Sequence, residues 1–230
     1  MFKIGGDMFG FISNLRQPID GFLYIIGAVL SIIAITFLTI RIVQKRRAWH
    51  IVALSIYGIS LVGMFTVSAL YHSLRVSQAA IDILRQVDHA MIYFLIVGSS
   101  TPIFLIVLRK GWRWSMFGVA WGLATAGITL RLVFRYPPRP VIVIFFIFYI
   151  IVGWLLIIAW RPLVRTFTKQ AMVLMVGGGI FYTLGAVVLN IKWIDFGYGF
   201  GAQQIWPFFV MAGSFCHFWL AYKYIIHMAE

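Results

Sequence analysis

Seven uninterrupted apolar runs set the terms for this sequence. They lie at Gly21–Ile40, His50–Tyr71, Val87–Leu108, Trp112–Leu132, Val141–Trp160, Gln170–Asn190 and Gln204–Ile226. A helix needs about 20 mostly apolar residues to cross the ~30 Å hydrocarbon core of a bilayer. None of the runs alternates with period two, so they read as helices and not as barrel strands. A helix also satisfies its own backbone N–H and C=O groups, as hydrocarbon requires. The predicted fold class is an all-α integral membrane protein, a seven transmembrane helix bundle.

Composition agrees with that reading. The chain is 62% hydrophobic and 11% charged, where soluble domains run to about 45–50% and ~25%. A water-soluble globule, a disordered tail and a disulfide scaffold are excluded. The single cysteine, Cys216, sits in an apolar run and has no partner for an intrachain disulfide. Nineteen Lys and Arg face six acids, for a formal charge of +13. They fall in short clusters between the runs, so no solvated basic face is offered to a nucleic acid. They form two basic rims whose expected partners are membrane lipids, with anionic headgroups worth on the order of 1 kcal/mol per Lys or Arg. Arg131 and Arg135 are expected to snorkel to headgroups. Trp49, Trp112, Trp114, Trp160, Trp193 and Trp206 fall near run ends, where indole rings anchor at the interface.

The breaks between runs are short, so residues 21–230 form one domain. Residues 1–20 form an N-terminal tail. Within it, Met1–Arg16 is either an interfacial helix anchored by Phe2, Met8, Phe9 and Phe11 or a free tail. Seven spans put the termini on opposite sides. Eleven basic residues lie on the C-terminal side and eight on the N-terminal side, which leans towards a cytoplasmic C-terminus.

Polar residues inside the spans are few, and an intramembrane ionisable group is a functional-site hypothesis by default. Ser68 and His72 are one helical turn apart at the end of the second run. Asp88, with His89 beside it, opens the third run on the same side of the membrane. His72 and Asp88 are therefore expected to meet. Spacing alone fits a structural Asp–His pair tying two helices together; it also fits a reactive centre. His89 lies about 100° round the helix from Asp88. His217 lies ~15 Å deeper than Pro207 on the last helix. It reads either as a neutral core histidine bonded across the bundle or as a proton-handling or lipid-contacting group. The triple Gly177–Gly179 fits tight helix packing or a broken transporter helix. Lys223 lies too near the interface for a retinal Schiff base.

SALYHSL (Ser68–Leu74), DHAMIYFLIVGSSTPI (Asp88–Ile103), GWL (Gly153–Leu155), GGGIFYTLGAVV (Gly177–Val188) and AGSFCHF (Ala212–Phe218) occur in this order. Together they resemble the hemolysin III family, the bacterial branch of the progestin and adiponectin receptor superfamily. The resemblance implies a multi-pass protein of the bacterial plasma membrane with a cytoplasmic N-terminus. That orientation is preferred here over the small charge imbalance. It also implies a zinc site near the cytoplasmic face, with His72 as a metal ligand and Asp88 close to a metal-bound water. The other two ligands of the family are histidines, and the corresponding positions here are Gln203 and Pro207. Upstream, Arg16, Gln17, Asp20 and Tyr24 replace a motif of acids, Asn and His. Proline has no side-chain donor, and a Gln amide is a poor zinc ligand beside imidazole.

Three functions follow. The adopted one is a non-enzymatic regulator or sensor of membrane lipid state or energetics, with no cofactor expected and zinc entering only through the resemblance. Its polar cluster is Ser68, His72, Asp88, His89 and Gln203. The first alternative is a zinc-dependent lipid amide hydrolase, with His72 on the metal and Asp88 catalytic. The second is a pore-forming cytolysin, which would need a polar stripe through several spans.

Overall fold

A computed structural model of the chain describes residues 14–45, 48–134, 136–191, 196–197 and 200–228. Phe2, Met8, Phe9, Phe11, Arg135 and Trp193 lie outside the described residues. The helices are α1 (Pro18–Lys45), α2 (Ala48–Ser73), α3 (Gln78–Pro102), α4 (Gly111–Val133), α5 (Arg139–Gly153), a short α6 (Trp160–Thr166), α7 (Lys169–Asn190) and α8 (Ala202–Lys223). All but α6 are long and apolar enough to cross a membrane once the single turns that extend α3, α5 and α8 are added. The architecture is the expected all-α bundle of seven membrane-spanning helices.

Local chemistry sets the helix starts. Pro18 opens α1, where its missing N–H has no helical partner to lose. Ser77 caps α3 by accepting from the Ala80 N–H at 3.4 Å, and Thr168 caps α7 by accepting from the Ala171 N–H at 3.3 Å. Before α8, the Gly201 N–H donates to Gln204 Oε1 at 2.9 Å. Ahead of α1, the Arg16 and Gln17 N–H groups donate to the carbonyls of Ser73 and His72 at 3.1 and 2.9 Å, so residues 14–17 are tied to the end of α2.

Two helices depart from their expected bounds. α3 begins at Gln78, not at Val87. Its first turns carry Gln78, Asp82 and Arg85, which resemble a loop in a hydropathy reading. These groups satisfy one another instead: Gln78 Nε2 and Arg85 Nη2 donate to Asp82 Oδ1 at 3.1 and 3.4 Å, and Tyr136 Oη donates to Asp82 Oδ2. α5 ends at Gly153 and continues only as a 3-10 turn, Leu155–Ile157. At that point Trp154 turns towards α7, and its indole N–H donates to Thr183 Oγ1 at 2.9 Å.

α3 is the central span and packs on α2, α4, α5 and α8. α1 lies between α2 and α8, and α7 packs along α8. The ring closes where α5 faces α7, and these two helices meet only along a short stretch. Val29, Ile33, Phe37, Ile144, Ile147, Val173, Ile180 and Phe215 are exposed on the outside. Such a belt would aggregate in water but costs nothing in hydrocarbon. The α7–α8 contact is closest where Gly178 meets Gly213. A Cβ on Gly178 would sit 2.6 Å from the His217 ring, and one on Gly213 would sit 2.6 Å from the Tyr182 ring. A Cβ on Gly177 would meet nothing within 4 Å. α7 runs unbroken through all three glycines, so the triple serves packing at its middle member.

Candidate functional site: a polar corner opening into an apolar slot

The second and third spans meet through Ser68, not through His72. Ser68 Oγ donates to Asp88 Oδ1. Asp88 lies ten residues inside α3, ~15 Å from its start, and that register sets it level with Ser68. The expected His72–Asp88 bond is replaced by a bond to the segment before α1: His72 Nδ1 donates to Gln17 Oε1. The His72 ring also stacks on Tyr24, with centroids 4.9 Å apart and planes at 15°.

The same corner holds a second fastening. Asp20, in the first turn of α1, is buried. Its Oδ2 accepts from Gln204 Nε2 at 2.8 Å and from Gln203 Nε2 at 3.4 Å. α1 is thus hydrogen-bonded to α2 through Gln17 and to α8 through Asp20. Hydrogen bonds to a charged group contribute about 1.5–3 kcal/mol where well formed.

A cavity of about 560 Å³ opens beside this corner. His72, Asp88, His89 and Gln203 all border it, while Ser68 is bonded behind Asp88. His89 Nδ1 donates to the Arg85 carbonyl at 2.6 Å and lies 4.0 Å from Asp88 Oδ2. The opposite wall brings Arg85, Arg131, Tyr136 and Tyr149. Arg131 does not snorkel outward. It is 5% exposed, donates from Nη1 to the Phe134 carbonyl at 3.1 Å, and lies 5.8 Å over the Phe145 ring. α4 ends just beyond it, so a free carbonyl and an aromatic face await the guanidinium inside the bundle.

Next to the cavity lies an apolar slot of about 70 Å³ between α3, α5, α7 and α8. Ile92, Phe146, Tyr149 and Trp206 border both spaces. Trp206 is therefore a wall of the site and not an interfacial anchor; it is 8% exposed and packs against Gly185 of α7. The slot's deep end carries Ser99, Ser100, Trp154, Thr183 and His217. His217 stacks on Tyr182, with centroids 5.6 Å apart and planes at 13°. Among the described residues its buried Nδ1 has no hydrogen-bond partner. Tyr182 Oη pairs with Ser214 Oγ at 3.0 Å, and Tyr57 Oη donates to the Ser214 carbonyl at 3.1 Å.

A family profile described as Haemolysin-III related matches residues 13–218. The chain belongs to the haemolysin III family. It is 34% identical over 205 residues to Hemolysin-3 of Bacillus cereus, covering 89% of this chain and 90% of that relative. It is 34% identical over 201 residues to the Hemolysin-3 homolog of Bacillus subtilis (strain 168), covering 87% of this chain and 90% of the relative. As a haemolysin III family member with seven apolar spans, it is a multi-pass integral membrane protein.

The zinc site implied by the superfamily resemblance was tested against these donors. A catalytic zinc takes three protein ligands and a water. His72 and Asp88 border the cavity, but Gln203 is engaged with Asp20, and Pro207 is a buried helix residue without a donor. Among the described residues no cluster of three His, Cys, Asp or Glu could hold a metal ion. The residues present do not fit that zinc site. Asp20 is the residue the sequence undervalued. It stands there only as a departure from a motif, although an acid in the first turn of an apolar span is itself a signal. Arg131 carries the same signal.

Proposed function

We propose that this haemolysin III family protein is a non-enzymatic sensor or regulator of membrane lipid state. It takes a single-chain amphiphile into the bundle, with the head in the polar cavity and the chain in the slot. The adjacency of a 560 Å³ cavity bearing charged side chains and an apolar slot, which share Ile92, Phe146, Tyr149 and Trp206 as lining, supports this reading. From Asp88 to Ser99 is eleven residues of α3, or ~16 Å. That is about half the ~30 Å hydrocarbon core, the depth to which one leaflet's chain reaches. The sparse α5–α7 seam supplies an element whose packing an occupant would change.

The test uses the protein in vesicles with a spin-labelled single-chain probe. Saturable binding is expected, and Ile96→Trp, which fills the slot, is expected to weaken it about tenfold or more. The same samples should hold clearly less than one zinc per chain. Non-saturable uptake by wild type, or binding unmoved by Ile96→Trp, overturns the lipid reading. Stoichiometric zinc lost on His72→Ala would restore the hydrolase.

We also propose that the protein lies in the plasma membrane with the cavity mouth and N-terminus facing the cytoplasm. A reporter fused at Glu230 is then active only outside the cytoplasm; activity confined to the cytoplasm refutes this orientation.

A further inference from the structure

Two buried residues of opposite formal charge border the polar cavity, and among the described residues no hydrogen bond or ion pair joins them. Arg131 comes from the end of α4 and Asp88 from within α3, and both are more than nine-tenths buried. Their close contacts lie elsewhere. Asp88 accepts from Ser68 and has His89 at 4.0 Å, while Arg131 donates to Phe134 and lies over Phe145. The third charged residue on the wall, Arg85, lies 3.4 Å from Asp82 and is paired there. One guanidinium and one carboxylate therefore border the same space without a direct bond to each other.

Burying a charge without a close counter-charge is costly. A guanidinium has five N–H donors, and among the described residues Arg131 donates one hydrogen bond, to the Phe134 carbonyl. Its remaining donors suit a phosphate or carboxylate, which a guanidinium grips in bidentate fashion. Asp88 Oδ2 suits an ammonium, because Oδ1 already takes the Ser68 proton.

We infer that the cavity selects a zwitterionic head, with an ammonium at Asp88 and a phosphate or carboxylate at Arg131, on a single-chain amphiphile. This inference rests on the lipid reading above and names the head class that reading leaves open.

Three alkyl probes of equal chain length distinguish the outcomes on wild-type protein in neutral vesicles: an alkylphosphoethanolamine, an alkyl phosphate capped as its methyl diester so that it carries a single charge, and an alkylammonium. The zwitterion is expected to bind about tenfold tighter or more than either singly charged probe, since one extra charge-assisted bond contributes at least one decade. Asp88→Asn should erase its advantage over the alkyl phosphate. Arg131→Gln should weaken the two phosphate-bearing probes more than the alkylammonium. Equal affinities, or tightest binding of either singly charged probe, overturn the zwitterion and leave the single-chain reading standing. Saturable binding of none of the three overturns the lipid site itself. The wild-type comparison decides even if a variant fails to fold.

Discussion

The corner formed by α1, α2 and α8 and the seam between α5 and α7 border one cavity system, yet they are built in opposite ways. At the corner, side chains tie α1 and the segment before it to both neighbours: Gln17 to His72 of α2, and Gln203 and Gln204 of α8 to Asp20. At the seam, α5 and α7 face each other across a slot, linked by the indole of Trp154 on Thr183. One flank is densely fastened and the other sparsely. The fastened flank is also where the superfamily pattern expects metal ligands. Hydrogen bonds among Gln, Asp and His take over the joining of helices there. Asp and Gln bonds can do this because, in hydrocarbon, an unmade bond has no water to fall back on.

α7 borders both kinds of environment, so adjacent glycines offer the sharpest way to break the comparison. Gly178→Leu drives a side chain into the His217 ring and the α8 backbone. Overpacking of this kind costs about 1–3 kcal/mol and sometimes more, and the thermal unfolding midpoint in detergent should fall by roughly 5–10 °C. Gly177→Leu meets open space and should be neutral or more stable by up to about 1 kcal/mol, the helix-propensity gain over glycine. Similar losses at both positions would mean that α7 is not asymmetrically packed. A more local effect is expected at the corner. Asp20→Ala leaves two glutamine amides without their acceptor, at a cost of about 2 kcal/mol. The loss should be read as faster hydrogen exchange in the first turns of α1 and α8 than in α5. Uniform exchange changes along the chain would show that the corner is not a local fastening.

Hydropathy made the seven spans legible, because each run is long enough to commit its backbone to a helix. It missed where α3 begins, because Gln78, Asp82 and Arg85 look solvated until their mutual bonds are seen. It placed Arg131 and Trp206 at the lipid interface by their position near run ends. The structure turns both inward because each has an aromatic or glycine surface waiting there: Phe145 for the guanidinium, Gly185 for the indole. The polar cluster was legible as a set, since His72, Asp88, His89 and Gln203 do share one cavity. Its pairing was not, because a pattern of spacings gives the faces of helices but not their relative heights. The stagger between α2 and α3 decides that Asp88 meets Ser68.

The helices also differ in how far they outlast their apolar runs. α1 is 28 residues, or ~42 Å, whereas its apolar run, Gly21–Ile40, is 20 residues, or ~30 Å. The surplus turns carry Arg41 beyond the run, where its guanidinium lies 5.4 Å from the centre of the Tyr222 ring of α8. One end of α1 is therefore a charged stem braced on an aromatic ring, a fixed cation at the end of the span.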